Sequence, residues 1–178
     1  QPQSETVWRQ ADRYGIPRIA YINKMDRIGA DYFRAVNMIR SGLGSEPVLL
    51  HLPIGVEDLF CGVIDLVALK AYIYDEDSGE HFQVKDLTAE QMEEALQYRQ
   101  QLLEKIAEFD DAILEKYLDG KEITVEDIRK SLRNLTIQNK IVPVFCGSSF
   151  KNKGVQMLLD AVVDYLPSPM DMPPVKGV

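Results

Sequence analysis

The sequence predicts an α/β fold: a doubly wound parallel sheet interrupted by an inserted α+β unit. Three observations carry that expectation. Helix, strand and helix patterns follow one another in the first forty-odd residues; the same pattern resumes near residue 142; and between them lie β-rich runs followed by helices.

In chain order, "SETVWRQADRYG" places Val7, Ala11 and Tyr14 at helical spacing, with Gly15 where a helix is commonly closed. Pro17 then starts "RIAYIN", a short apolar run expected as a parallel strand buried on both faces. Ala30 to Ile39 returns to helical spacing through Phe33, Val36 and Ile39 and is expected to end at Ser41-Gly42. After Pro47 come "VLLHLPIG", "FCGVIDLVALKAYIYD" and "EHFQVKD", read together as an antiparallel sheet. The turn signal Glu76-Asp77-Ser78-Gly79 separates the last two, and Tyr72 and Tyr74 alternate with Ala71 and Ile73 as sheet packing requires.

Three helices should follow. The first opens with a capping box, Thr88 to Gln91, and repeats Met92, Ala95/Leu96, Arg99, Leu102/Leu103 and Ile106. The second runs from Asp110-Asp111 to Leu118. The third is capped by Thr124 and Asp127 and aligns Val125, Ile128, Leu132 and Leu135. "IVPVFCGSSF" is then a buried strand ending in small polar residues, and "GVQMLLDAVVDYLP" a helix through Val155, Leu158, Leu159, Val162 and Leu166. "PSPMDMPP" suits neither helix nor central strand and reads as a linker. The expected division is therefore 1–44 and 142–166 for the parallel unit, 45–141 for the insert and 167–178 for the linker.

Composition narrows the function. The 178 residues are 46% hydrophobic and 27% charged, as in ordinary globular chains, and no apolar run approaches the roughly 18 residues of a membrane span. Net charge is −8, which argues against simple binding to a phosphate backbone. Residues 45–141 hold 21 acidic and 10 basic side chains, a balance of −11, whereas the remainder carries +3, so the two parts suit different partners. Cys61 and Cys146 lack any CxxC or CxxH spacing and read as small core residues in a reducing compartment. His51 and His81 are isolated and read as structural or surface residues. Asp110-Asp111 lacks the spacing of a calcium loop and reads as a solvated acidic face or a partner surface.

In open α/β sheets, ligands bind outside the carboxyl ends of the strands. Two such ends are visible, Asn23-Lys24-Met25-Asp26 and Gly147-Ser148-Ser149-Phe150. A carboxylate such as Asp26 can accept two parallel hydrogen bonds from a planar N–H/NH₂ edge. Guanine offers that edge and adenine does not. Asn23 can donate toward N7 and tie its loop to neighbours, while the stem of Lys24 can lie over the base plane. Backbone N–H groups of the Gly/Ser turn can donate to O6.

N-K-x-D followed by a Ser-rich turn resembles the guanine-specificity motifs of GTP-binding proteins. "QSETVWRQADRYGIPRIAYINKMDR", "PIG.EDLF.GVIDL" and "PVFCGSSFKNKGVQMLLDAVVDYLPSP" resemble one family closely, elongation factor G, the ribosomal translocase. The helices from Leu87 to Asn134 match it in pattern more than in identity.

The resemblance implies the second half of a P-loop-GTPase-type sheet and a G′ insert. It implies guanine contacts from Asn23, Lys24 and Asp26, and backbone N–H groups of Ser148, Ser149 and Phe150 turned to O6. The family usually has a small apolar residue where Ser149 stands, a change a backbone donor tolerates. Asn23 and Ser148 lie 125 residues apart, where a βαβ unit needs about 30, so something near 90 residues is inserted.

Also implied are GTP or GDP as ligand, Mg²⁺ in the full-length protein, the ribosome with its stalk protein as partner, no membrane, and the cytoplasm. No G-x-x-x-x-G-K-[ST] phosphate loop occurs in the sequence. Asp26-Arg27-Ile28-Gly29 fits a D-x-x-G switch only by overlapping the base loop. The chain, which opens at Gln1 in a helical pattern, is thus expected to be a piece of a longer GTPase, with phosphate loop, switches and catalytic His on the preceding part. Three alternatives stand beside this: a release factor of the same superfamily, which "KNKGVQ" and the insert size disfavour; a non-catalytic interaction module built on the acidic insert; and an unrelated nucleotide-dependent metabolic protein whose motif matches are accidental.

Overall fold

In a computed structural model of the protein, residues 2–75 and 78–171 are described. The elements are α1 (Pro2–Arg13), β1 (Ala20–Ile22), α2 (Tyr32–Leu43), β2 (Pro47–Leu49), β3 (His51–Ile54), a 3-10 turn (Glu57–Leu59), β4 (Gly62–Asp65), β5 (Lys70–Tyr74), β6 (Phe82–Asp86), α3 (Ala89–Ala107), α4 (Asp111–Leu118), α5 (Val125–Ile137), β7 (Val142–Cys146) and α6 (Val155–Tyr165). β1, β7 and β2 form a parallel sheet with β7 in the middle, and β3-β4-β5-β6 form an antiparallel meander. β7 is buried along its whole length, which explains its unbroken apolar run. Pro143 offers no N–H to a neighbour, and β1 joins β7 only from Ala20, opposite Val144, so the strand is shorter than "RIAYIN" suggests.

The run "VLLHLPIG" is divided between the sheets, which corrects its assignment to the antiparallel one alone. Val48 and Leu49 pair in parallel with Pro143 and Val144, whereas His51 to Ile54 pair antiparallel with β4. Leu50 is the hinge: its N–H donates to Val144 O at 3.0 Å, and its carbonyl accepts from Leu66 N–H at 2.9 Å. A second correction splits "FCGVIDLVALKAYIYD" into β4 and β5. The Asp65 carboxylate accepts the N–H groups of Val67 and Ala68 and closes the turn between them, and Arg99 of α3 donates to the carbonyls of Leu66 and Val67.

The caps predicted for α3 and α5 form: Thr88 and Gln91 make a reciprocal capping box, as do Thr124 and Asp127. Asp110, read from the sequence as part of an acidic face, caps α4. Two helix faces differ from expectation. On α1, Val7 and Tyr14 are exposed; Trp8 packs inward instead, donating to Ser45 Oγ at 2.9 Å beneath the Arg18 guanidinium. On α6 the buried residues are Met157, Ala161 and Tyr165, while Leu159 and Val162 are exposed. Apolar residues ring most of α6, so its rotation is set by what it meets: Tyr74 against Met157, and Phe145 against Tyr165. α2 runs to a cap at Gly44 rather than ending at Ser41-Gly42.

One contiguous core joins Val48 and Val144 of the parallel sheet, Val63 and Ile64 of the meander, and Ile106, Ile128 and Leu132 of α3 and α5. His51 is buried and His81 exposed. Cys61 is half-buried and Cys146 buried, both as free thiols. Most of the expected linker, with Glu76 and Asp77 of the turn signal, lies outside the described residues. Among the described residues no helix is long and apolar enough to cross a membrane.

Candidate functional site

β1 and β7 run side by side, so their carboxyl ends carry Asn23 and Ser148 to the same edge of the molecule. The two loops are stitched together by backbone. Gly147 N–H donates to Ile22 O, and Met25 N–H to Gly147 O, both at 3.1 Å. Met25, the variable position of the motif, is 3% exposed and anchors its loop in the core. Lys24 beside it takes φ of +65°, a left-handed conformation that costs a residue with a Cβ. The Lys24 N–H donates to Asn23 Oδ1 at 2.7 Å, which compensates part of that cost, and the side chain is left exposed.

Asn23 works mainly as a tie between loops. Its Nδ2 donates to Ser149 Oγ at 2.8 Å, and its Oδ1 accepts the Ser149 N–H at 2.9 Å. The second loop is a small hairpin in which Ser148 and Lys153 exchange N–H···O bonds of 2.9 Å each. Gly147 is required at its base, because a Cβ there would sit within 3.0 Å of Tyr21 Oη and of the Lys153 carbonyl. Tyr21 Oη itself donates to that carbonyl at 3.2 Å.

Of the three turn amides expected to face O6, two are engaged within the protein: Ser148 N–H with Lys153 O, Ser149 N–H with Asn23. Among the described residues no acceptor meets the Phe150 N–H, and the Phe150 ring is 86% exposed.

Asp26 is the electrostatic centre. The hydroxyl of buried Ser148 holds its carboxyl below the usual carboxylate range; burial opposes this, and Lys151 and Arg27 assist. Its Oδ1 is buried and meets no donor among the described residues. An ionised oxygen so placed is costly until a donor reaches it. The carboxyl group is kept ionised at the strand tip, which suits a ligand edge rich in N–H.

Residues 1–168 match the family described as the elongation factor Tu GTP binding domain. The chain belongs to this family. It is 62% identical over all 178 residues to elongation factor G 2 of Syntrophomonas wolfei subsp. wolfei, and spans 26% of that protein. A crystal structure of a Thermus thermophilus protein superposes with a TM-score of 0.81 at 33% identity; 93% of this chain and 24% of that one are covered. This GTP-binding-domain segment thus corresponds to about a quarter of its elongation factor G relative, and both strand-tip motifs fall inside the matched region.

Sequence reasoning missed several residues that shape the site of this elongation-factor domain. Met25, Tyr21 and Gly147 fix the loops from below; the Gly that directly follows a buried strand was the one local signal of close backbone approach. Glu57 and Tyr74, which reach the loops from the meander, carried no local signal at all.

Proposed function

We propose that these two loops read guanine and that the chain is the base-recognition part of a translational GTPase that drives movement on the ribosome. The observation that supports it best is Asp26: a carboxylate kept ionised by the Ser148 hydroxyl at a strand tip, beside a Phe150 N–H that meets no acceptor among the described residues. In this reading the carboxylate keeps Ser148 and also accepts from guanine N1–H and N2–H₂, since an ionised carboxylate has about four lone-pair sites. Phe150 N–H donates to O6 in this reading, Lys24 covers the base with its stem, and Asn23 holds Ser149 in place while facing N7. Ser148 belongs to the site through its hydroxyl rather than its N–H.

Mg²⁺ is proposed for the full-length protein on its likeness to elongation factor G. Among the described residues no group of three or more His, Cys, Asp or Glu could hold a metal ion. GTP hydrolysis, ribosomal translocation and a cytoplasmic location are proposed for the full-length protein on its likeness to elongation factor G. The acidic helices α3 to α5 are proposed as the face that meets the ribosomal stalk protein, on the balance of −11 in residues 45–141.

The test is Asp26→Asn in a full-length protein carrying this segment. The amide keeps one acceptor but turns N–H₂ toward the guanine amino group, so GTP binding should weaken by roughly two to four powers of ten. Xanthine has a carbonyl at that position, and XTP should become the preferred nucleotide with the fold retained. If GTP still outcompetes XTP on a normally folded variant, Asp26 is not the guanine reader.

A further inference from the structure

Both loops at the strand tips are gripped from the same side by the antiparallel meander. Glu57 opens the 3-10 turn between β3 and β4 at φ of +54°, an unfavourable backbone for a side chain of this size. From that position its Oε1 accepts the Gly29 N–H at 2.7 Å, at the far end of the loop that begins with Asn23. The acceptor is a carboxylate, which makes this one of the stronger bonds at the site.

The second loop is held by Tyr74, the last residue of β5, which is 3% exposed. Its Oη accepts the Gly154 N–H at 2.8 Å and donates to Gln156 Oε1 at 2.8 Å. Around it, Asn152 Nδ2 and Gln156 Nε2 donate to Gly79 O at 3.2 and 3.0 Å, and Lys153 Nζ donates to Phe60 O at 3.4 Å. Lys153 is also the residue paired with Ser148 across the hairpin. A displacement at Gly154 is therefore passed through one peptide and two backbone bonds to Ser148, and from Ser148 to Asp26.

We propose that Glu57 and Tyr74 are positioning residues for base recognition: among the bonds by which the meander holds the base-reading loops, Glu57 fixes the first through Gly29 N–H and Tyr74 the second through Gly154 N–H. This rests on the assignment of the two loops to guanine. Both bonds come from the same end of the meander, where Gly62 pairs with Ile54 on one side and Ile73 on the other, so the meander sets the spacing between the Asp26 loop and the Phe150 loop. Neither side chain touches the base.

The experiment uses the full-length protein and two ligands, GDP and ribose 5′-diphosphate, which share ribose and phosphates and differ by the base. Tyr74→Phe and Glu57→Ala should each weaken GDP binding by roughly three- to tenfold, the range of one hydrogen bond to backbone. Binding of ribose 5′-diphosphate should stay unchanged. Glu57→Gln keeps a carbonyl acceptor for Gly29 and should restore GDP affinity to within about twofold of the parent.

Equal loss of both ligands would assign the two residues to general stability and overturn the proposal. So would unchanged GDP binding in variants that melt like the parent. Should Tyr74→Phe fail to fold, the half-buried Glu57 pair decides the matter alone. Asp26→Asn, measured alongside, separates the two levels. A retained guanine preference there removes the base site itself, whereas a switch to xanthine combined with silent Glu57 and Tyr74 variants removes only the positioning role.

Discussion

His51 offers a quantitative test of the junction between the two sheets. It is 3% exposed, its ring meets Phe145 edge-on at 4.9 Å, and its Nδ1 finds no partner among the described residues. Burial pushes its pKa from 6.5 to about 4, against the pull of the Asp65 charge, which favours the imidazolium. The folded value lies below the unfolded one, so as pH falls the unfolded chain takes up a proton that the folded protein refuses. Stability from this group is complete above about pH 6.5 and is lost between there and about pH 4. A gap of about 2.5 pH units at 1.36 kcal/mol each is about 3 kcal/mol. That is a large share of the roughly 5–15 kcal/mol that holds a domain folded.

Urea unfolding of the chain should be followed from pH 7.5 to 4 beside His51→Leu. The variant should show a shallower fall, the difference accumulating to about 3 kcal/mol by pH 4. Its remaining slope belongs to carboxylates. Parallel pH profiles for the two proteins would refute the argument, since His51 would then titrate alike in both states.

Three other outcomes follow from the site and the charge pattern. Gly147→Ala forces a Cβ against Tyr21 Oη and the Lys153 carbonyl, and should lower stability by about 1–3 kcal/mol; an unchanged urea midpoint would show that the hairpin base yields. The 178-residue chain, which has no phosphate-loop motif, should bind guanine nucleotide only weakly, with Kd on the order of 1 mM, and show no turnover; nanomolar binding by calorimetry or multiple turnover would contradict this. The acidic segment should bind the stalk protein's C-terminal domain in a complex that loosens from low to near-molar salt; affinity that rises with salt would point to an apolar contact instead.

The sequence by itself determined whatever rests on neighbours in the chain. The Thr88–Gln91 and Thr124–Asp127 boxes were legible because each closes within four residues. The strand-tip motif was legible because an apolar run followed at once by an amide, an ammonium and a carboxylate leaves those groups one place to go. Tertiary structure decided what sequence spacing leaves degenerate. "VLLHLPIG" is mostly apolar on both sides of its middle, and only Leu50, bonded to Val144 on one side and Leu66 on the other, shows where one sheet yields to the next. Apolar residues surround α6, so the choice of Met157 and Tyr165 over Leu159 belongs to the residues they meet. At the site, the engagement of Ser149 N–H with Asn23 leaves Phe150 as the turn's available donor. The bond from Tyr74 to Gly154 spans 80 positions. A hydrogen bond between distant residues leaves no mark on either neighbourhood, because its geometry exists only after the core has brought the two strands together.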